Sequence, residues 1–245
     1  MPFRRITLVL FSGLLLLSFS APTSKAWASA SKKSPLAKKR VIKMVYQMFF
    51  NKKNSGLSHR EEIKQKDGSI LVKSRTAFKF RYWFWKITGS NKSVFHYNKK
   101  GELVKFKIKS KLRGKEKEIW GTQNASGISI YIKKKGGTTK RKYFAKSSYD
   151  STNLDLRLKM LKPGKKYQRR QLHIQRQELK KQTYTFAKSG AASWFGKSWQ
   201  VWKVTFKSKK GKASLWMTSG GWMVDSKIKI KIGSMKLKLI KASAT

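Results

Sequence analysis

Cationic and aromatic residues alternate between Thr76 and Ile87. Successive side chains of a strand point to opposite faces of a sheet, so one predicted strand face holds Lys79, Arg81, Trp83 and Trp85. The other face holds the intervening aromatic residues Phe78, Phe80, Tyr82 and Phe84. A surface of cations and rings is typical of single-stranded nucleic-acid binding, because bases stack on rings and phosphates meet cations. The alternative is that the sheet curves and buries Trp83 and Trp85 in its core.

A second stretch alternates apolar residues with lysine between Leu103 and Lys109. The apolar positions predicted to share one face are Val104, Phe106 and Ile108, and the cations on the other face are Lys105, Lys107 and Lys109. This period of two indicates a half-buried strand with a cationic outer surface.

A third stretch, from Lys227 to Leu239, has the same period but slips in phase at Gly233-Ser234. A two-residue turn at this slip predicts a hairpin in which Ile232 faces Met235. The same register pairs Ile230 with Leu237 and Ile228 with Leu239 on the buried face. The lysines on its other face that could bind an anion are Lys229, Lys231, Lys236 and Lys238.

The residue types that enzymes use do not form a recognisable set. His59, His96 and His173 are far apart and have no metal-ligand spacing. Glu61 and Glu62 are adjacent, so on a strand they point to opposite faces and cannot act as an acid/base pair. The segment from Gly190 to Ser198 has five residues between its glycines, whereas a P-loop needs four. We therefore expect no catalytic activity, no cofactor and no metal site.

The composition favours an anionic partner and a core without covalent links. The chain has 59 Lys and Arg against 10 Asp and Glu, a formal net charge of +49, and no Cys. A disulfide framework and thiolate metal sites are thereby excluded. The 9 Trp, 14 Phe and 8 Tyr supply enough apolar surface for a core. Because the lysines alternate with apolar residues, the charge does not indicate disorder. We expect Asp225 to form a salt bridge with a neighbouring lysine.

The N-terminus has the pattern of a secretion signal. A basic region at Arg4-Arg5 precedes an apolar run from Ile6 to Phe19, and Ala26-Trp27-Ala28 is a cleavage site before Ser29. An uncleaved anchor is the alternative, but the run is shorter than the roughly 20 residues of a membrane span. We expect residues 1–28 to be a signal peptide, 29–39 a basic flexible leader and 40–245 one β domain. The mature protein is then periplasmic or extracellular.

Turn residues recur throughout the chain between strand-like runs. Asp67-Gly68 and Pro163-Gly164 are two of these turns. The pattern predicts an all-β fold with a curved antiparallel sheet, a half barrel or an open barrel, and at most one or two short helices. The periods conflict from Asp150 to Leu161, where a short helix is favoured over a strand. Tyr167 to Phe186 favours two strands, with a helix as the alternative.

Several short motifs resemble an exported bacterial family of unknown function. They are Gly56 with His59, the aromatic strand ending at Trp85, Tyr97-Asn98-Lys99-Lys100-Gly101-Glu102-Leu103, Leu161-Lys162-Pro163-Gly164, Gly196-Lys197-Ser198-Trp199 and Gly220-Gly221-Trp222-Met223-Val224. The resemblance covers most of residues 41–240. It implies a curved antiparallel sheet akin to the lipoprotein-carrier half barrels of the periplasm, and it carries no catalytic assignment.

These observations favour a non-enzymatic, exported binding protein. Its lysine-rich face would bind anionic envelope polysaccharides or lipid headgroups, and an apolar concave pocket could hold an acyl chain. The second hypothesis is an exported nucleic-acid-binding protein that uses the same charge. The third is a structural domain whose charge reflects a basic proteome.

Overall fold

The structure is a computed structural model that describes residues 41–150, 166–194, 197–208, 211–218, 223–230 and 233–245. The predicted signal peptide and leader lie outside the described residues. So do residues 151–161 of the predicted helix, the Pro163-Gly164 turn, Lys231 and Ile232.

Antiparallel strands account for most of the described residues. Their bounds are β1 Val41–Phe50, β2 Lys53–Lys64, β3 Ile70–Tyr82, β4 Trp85–Tyr97, β5 Leu103–Leu112, β6 Lys115–Gln123, β7 Gly127–Lys134, β8 Lys140–Ala145, β9 Lys166–His173, β10 Glu178–Trp194, β11 Lys197–Ser208, β12 Gly211–Thr218, β13 Met223–Ile230 and β14 Gly233–Ala244. One 3-10 turn, Lys146–Ser148, follows β8. Within the described ranges, no helix is long and apolar enough to span a bilayer.

All fourteen described strands belong to one curved, open sheet, which confirms the predicted fold class. The strand order is β8-β7-β6-β5-β4-β3-β2-β1-β14-β13-β12-β11-β10-β9. Two meanders, β1–β8 and β9–β14, therefore join where β1 pairs with β14. Val41 N donates to Thr245 O at 2.8 Å and Thr245 N donates to Val41 O at 3.0 Å, which fixes this join at the first and last described residues.

The inner face of the sheet holds two apolar clusters. The first lies mainly on β1 and β10–β14, and its most buried members include Ile42, Tyr184 and Val204. The second lies mainly on β3–β7, where Phe95 and Ile108 are fully buried. Alternation of apolar and polar residues explains this arrangement, since one face of each strand enters a cluster and the opposite, outer face meets solvent.

The two outermost strands approach each other across the open side. Asp150, which follows β8, donates its N–H to Arg170 O at 2.9 Å, and Arg170 N donates to Asp150 Oδ2 at 2.9 Å. Leu172 and Ile174 join the second apolar cluster. These contacts hold the curved sheet in its barrel-like form without a continuous ladder between β8 and β9.

Glycines beside Phe78 permit close packing inside the curve. Gly56 on β2 and Gly89 on β4 both lie opposite Phe78 on β3. A Cβ at Gly89 would collide with the Phe78 ring, and a Cβ at Gly56 would collide with the backbone of Ala77. The ring therefore occupies space that only glycine leaves open.

The prediction of one strand from Thr76 to Ile87 is wrong. The chain reverses at Trp83-Phe84, and Tyr82 at the end of β3 pairs with Trp85 at the start of β4. The aromatic run alternates so regularly that its period concealed a two-residue turn. Trp85 consequently lies on the inner face, whereas Lys79 and Arg81 lie on the outer face. The predicted four-residue surface is therefore divided.

The predicted register of the C-terminal hairpin is also wrong. Ile228 pairs with Met235 rather than Leu239, and Ile230 pairs with Gly233 rather than Leu237. Because the error is an even number of residues, Ile228, Leu237 and Leu239 remain buried. Val104, which was predicted to share the apolar face of Phe106 and Ile108, is a further exception. A register shift between His96 and Tyr97 changes the phase of the pairing, and Val104 is exposed.

Candidate anion-binding surface

A row of cations crosses the outer face where β3, β4 and β5 lie side by side. Arg75 on β3 lies directly opposite Lys92 on β4, and Lys92 lies directly opposite Lys109 on β5. Neighbouring strands are about 4.8 Å apart, so three positive charges occupy adjacent positions in this cationic row. Directly opposed like charges are destabilising unless an anion neutralises them.

The cationic row lies in a groove of about 590 Å³ on the outer face. The outer-face cations that line this groove, here named the cationic groove, are Lys43, Lys73, Arg75, Lys92, Lys107, Lys109 and Lys241. Strand pairing brings them together, since β14, β1, β2, β3, β4 and β5 are consecutive in the sheet. Among the described lining residues, the acidic one is Glu61.

Two carboxylates neutralise part of this charge. Glu61 Oε1 lies 3.9 Å from Lys43 Nζ, and its Oε2 lies 3.9 Å from Lys73 Nζ. At the other side, Glu118 Oε1 lies 2.8 Å from Lys107 Nζ and 3.9 Å from Lys109 Nζ. The hydrogen bond from Lys107 is the main cause that lowers the pKa of Glu118, so this carboxylate is ionised at neutral pH.

The remaining cations of the groove face solvent without such a partner. Within the described part of the chain, no carboxylate forms an ion pair with Arg75, Lys92 or Lys241. All three side chains are exposed. The site can therefore accept phosphate or carboxylate groups with little rearrangement of existing ion pairs.

The predicted residues of β5 lie in or beside the groove. Lys107 lines the groove, and Lys105 lies two residues away on the same outer face. Lys105 is opposite His96 on β4. Burial, and secondarily the charge of Lys105, lowers the pKa of His96, so the imidazole is neutral at pH 7 and adds no charge there.

The predicted lysines of the C-terminal hairpin form a separate part of the outer face. Lys229, Lys236 and Lys238 are exposed on β13 and β14. Asp225 Oδ2 lies 3.0 Å from Lys236 Nζ, as expected for a salt bridge, and Asp225 also faces Lys238 across the strands. Two of these lysines thus have a carboxylate nearby. The fourth predicted lysine, Lys231, lies outside the described residues.

Lys79, Arg81 and Trp83 lie together at the turn between β3 and β4. They line a second groove, of about 650 Å³, with Lys53, Lys86 and neighbouring residues. Trp85 lies on the opposite face, where the guanidinium carbon of Arg113 is 5.1 Å from its ring centroid. The structure therefore brings together three of the four residues that the strand pattern had grouped.

Sequence reasoning missed most of the cationic groove. Arg75, Lys92 and Lys109 come from three strands, and their adjacency depends on the register of two hairpins. The turns at Trp83-Phe84 and Asn98-Lys99-Lys100-Gly101 fix that register. Correct placement of the first turn was the signal that could have revealed the pairing of Arg75 with Lys92, because residues equidistant from a two-residue turn pair across it.

The residues with catalytic or ligating side chains remain dispersed. His59 lies on β2, His96 on β4 and His173 on β9. Within the ranges that the structure describes, no group of three His, Cys, Asp or Glu residues has a geometry that could hold a metal ion. The segment from Gly190 to Trp194 is the end of β10 and pairs with β11. This antiparallel pairing of consecutive strands differs from the strand-to-helix turn of a P-loop.

Comparison with known proteins identifies the fold. A beta-barrel-like protein of the domain of unknown function DUF1849 from Brucella abortus is similar, with a TM-score of 0.64 and 13% sequence identity over 85% of this chain and 99% of that chain. A DUF1329 family protein from Desulfovibrio piger aligns at 8% identity over 92% of this chain and 94% of its own, with a TM-score of 0.26. No protein-family model matches the chain, and no curated protein is significantly similar. The first likeness shows a barrel-like all-β fold shared with a protein of unknown function.

Proposed function

We propose that this chain is a non-enzymatic, exported protein that binds anionic envelope polymers or lipid headgroups through the cationic groove. The observation that supports this proposal best is the cationic row, Arg75, Lys92 and Lys109. Opposed cations lower stability, and a ligand that carries several phosphates or carboxylates would reverse that cost. The secretion-signal pattern of the N-terminus supports a periplasmic or extracellular location.

The expected affinity comes from many weak contacts. A lysine or arginine near an anionic surface contributes about 1 kcal/mol. The seven outer-face cations of the groove would together retain the protein on a dense polyanion, although Glu61 and Glu118 reduce the total. Because these contacts are exposed, salt screens them over a Debye length of about 10 Å at 0.1 M ionic strength. Binding of this kind is reversible and strongly dependent on salt.

A nucleic acid is the second candidate because aromatic residues continue an outer-face row. Lys107 lies opposite Trp120, Trp120 opposite Tyr131, and Tyr131 opposite Arg141. However, the Trp120 and Tyr131 rings stack on each other with centroids 5.6 Å apart. The Arg141 guanidinium carbon is 5.8 Å from the Tyr131 ring centroid. These rings already contact one another or a cation, which leaves less ring surface for bases. This arrangement favours a headgroup or polysaccharide.

The direct test compares two triple variants of the mature protein. In the groove variant, Arg75, Lys92 and Lys109 are each replaced by Gln. In the matched control, Lys66, Lys99 and Lys100 are replaced by Gln in the exposed turns at the far ends of β2–β5. Binding to phosphatidylglycerol vesicles, lipopolysaccharide and a single-stranded oligonucleotide is then measured for all three proteins.

We expect the groove variant to lose at least about tenfold in affinity for vesicles or lipopolysaccharide, and the control to lose much less. Equal losses in both variants would show that only net charge matters and would contradict a defined site. Preferential binding of the oligonucleotide by the parent protein would favour the second candidate.

A further inference from the structure

The turn between β3 and β4 exposes two large aromatic side chains. Trp83 is 77% exposed and Phe84 is 74% exposed, whereas the other large apolar residues that are exposed in the described chain reach at most 46%. Adjacent exposed aromatic rings at the end of a hairpin are unfavourable in water. Their position indicates a surface that another apolar phase covers.

The backbone conformation of this turn is also unusual. Trp83 has a φ of 55°, in the left-handed region that favours glycine. A bulky residue is rare there, and such a conformation costs roughly 1–3 kcal/mol. Glycine or asparagine would form a two-residue turn more readily. The presence of tryptophan instead is consistent with a role for its side chain at the tip.

Ring contacts connect the tip, that is, the turn formed by Trp83 and Phe84, to the sheet. The Trp83 ring stacks near Tyr82 with centroids 6.3 Å apart, and Tyr82 lies edge-on to Phe50 at 6.4 Å. The ring centroids of Phe84 and Trp85 are 5.1 Å apart. These contacts connect the two exposed rings to the aromatic side chains of the sheet, so the rings are presented on a supported hairpin and not on a long loop.

Cations surround the base of the tip. Lys53, Lys79, Arg81 and Lys86 line the second groove beside Trp83, and none of the described residues that line it is acidic. Arg81 lies directly opposite Lys86 on the outer face, which repeats the unfavourable pairing of the cationic row. Lys73, Arg75, Lys79 and Arg81 all lie on the outer face of β3, so the positive charge runs from the cationic groove toward the tip.

We propose that Trp83 and Phe84 insert into the interfacial region of an anionic lipid bilayer while the surrounding cations bind lipid phosphates. Aromatic side chains prefer this region, because their rings enter the apolar boundary near the headgroups. Basic residues beside them add electrostatic attraction to anionic lipid. The proposal rests on the proposed function only for its anionic partner, and it selects lipid over polysaccharide.

A second copy of this chain is a poor occupant for the same surface. Two tips would bring two sets of unneutralised cations together, on molecules that each have a formal net charge of +49. A soluble polyanion would neutralise the cations but would leave both rings in water. A bilayer with anionic headgroups would remove both rings from water and would also neutralise the cations.

The absence of cysteine from the chain permits a direct test by site-specific labelling. A single cysteine is introduced by Phe84→Cys and labelled with a polarity-sensitive fluorophore. The matched control carries the label at Lys100→Cys, in the exposed turn at the other end of the sheet. Both proteins are added to phosphatidylglycerol-containing vesicles and to phosphatidylcholine vesicles, with binding measured in parallel by sedimentation.

The label at position 84 should shift to shorter wavelengths and be quenched by lipid-borne quenchers on anionic vesicles, whereas the label at position 100 should not change. Sedimentation with vesicles but no shift at position 84 would overturn insertion and leave surface adsorption intact. No sedimentation with anionic vesicles would overturn insertion but would leave the binding of an anionic polymer to the cationic groove standing. Failure to bind lipopolysaccharide as well would overturn both proposals. A shift of the label's emission when a soluble, lipid-free polyanion is added, or when the protein self-associates, would identify a different occupant and would also overturn insertion.

An unlabelled double variant provides an independent measurement. Trp83→Ser with Phe84→Ser should reduce vesicle partitioning by about tenfold or more, because two interfacial rings are lost. Its matched control removes two other exposed apolar residues, Tyr143→Ser with Leu179→Ser, and should partition like the parent protein. Equal partitioning of the tip variant and the parent, with both folded, would contradict the proposal.

Discussion

Arg75 lies directly opposite Lys92 across the β3–β4 ladder, and within the described residues neither has a carboxylate partner. The pair lies on the outer face, so neither side chain is needed to fill the apolar core. Lys109 extends it to a third strand. A fold selected only for stability would place opposite charges in such positions. The arrangement therefore connects an unfavourable local interaction to the proposed binding of an anion.

Removal of one cation from the centre of this row should stabilise the fold. We expect Lys92→Gln to raise the free energy of unfolding by about 0.2–1 kcal/mol at low salt, because it relieves repulsion from both neighbours. The gain should shrink at high salt as the charges are screened. Urea denaturation at two salt concentrations checks this, with Lys100→Gln as the control for removal of a lysine from a turn. A loss of stability at low salt would contradict the repulsion.

Removal of a carboxylate should strengthen anion binding. Glu118 Oε1 forms an ion pair with Lys107 Nζ at 2.8 Å, and Glu118→Gln leaves both Lys107 and Lys109 without this anionic neighbour. We expect tighter binding to anionic vesicles, measured by sedimentation. Glu116→Gln is the control, because Glu116 pairs with Lys111, which does not line the cationic groove.

The effect of Glu118→Gln should not depend on pH near neutrality. The pKa of Glu118 is lowered from 4.5, so its ion pair is formed above that value and is lost only as the pH falls through the lowered pKa. Between about pH 5.5 and about pH 8, parent and variant should therefore differ by a constant factor. A difference that disappears within this range would show that another group controls binding.

The buried ion pair on β2 should matter to stability and not to binding. The Arg60 and Glu62 side chains are 6% and 3% exposed, and Arg60 Nε donates to Glu62 Oε1 at 2.9 Å. Glu62→Ala should cost about 3 kcal/mol or more in unfolding free energy, because it removes the anionic partner of a buried guanidinium. The double variant Arg60→Met with Glu62→Leu should be much less destabilised. Similar losses in both proteins, by urea denaturation, would contradict this reasoning.

The close approach of Phe78 to Gly89 gives a test of sheet curvature. Gly89→Ala places a methyl group against the Phe78 ring, and we expect a destabilisation of about 1–3 kcal/mol from overpacking. Gly190→Ala is the control, since no atom lies within 4 Å of a Cβ built there. Thermal unfolding of the two variants checks the difference. A variant at Gly89 as stable as the control would mean that the ring moves without cost.

The sequence predicted the fold class and the buried face of many strands because alternation records burial directly. Phe106 and Ile108 are buried, and Lys105 and Lys107 are exposed, as their period requires. Registers were harder to predict. A period of two is unchanged when the pairing of two strands shifts by an even number of residues, as at the C-terminal hairpin. The same ambiguity hid the turn at Trp83-Phe84, since both positions continue an aromatic run.

The candidate site was predictable in kind but not in place. The sequence shows many exposed lysines, and Lys107 was identified correctly as an outer-face cation. The cationic row requires three strands in the correct register, which one strand's pattern cannot supply. The exposure of Trp83 and Phe84 follows from a left-handed residue in a turn that no glycine or asparagine marks.

The dependence of binding on salt tests the central claim most directly. The affinity of the mature protein for phosphatidylglycerol vesicles is measured from about 50 mM to about 500 mM salt, together with the groove variant that replaces Arg75, Lys92 and Lys109 by Gln. We predict that the parent binds tightly at low salt and loses affinity steeply, and that the groove variant binds more weakly with a shallower slope. Binding that is independent of salt, or equal slopes for the two proteins, would contradict the account.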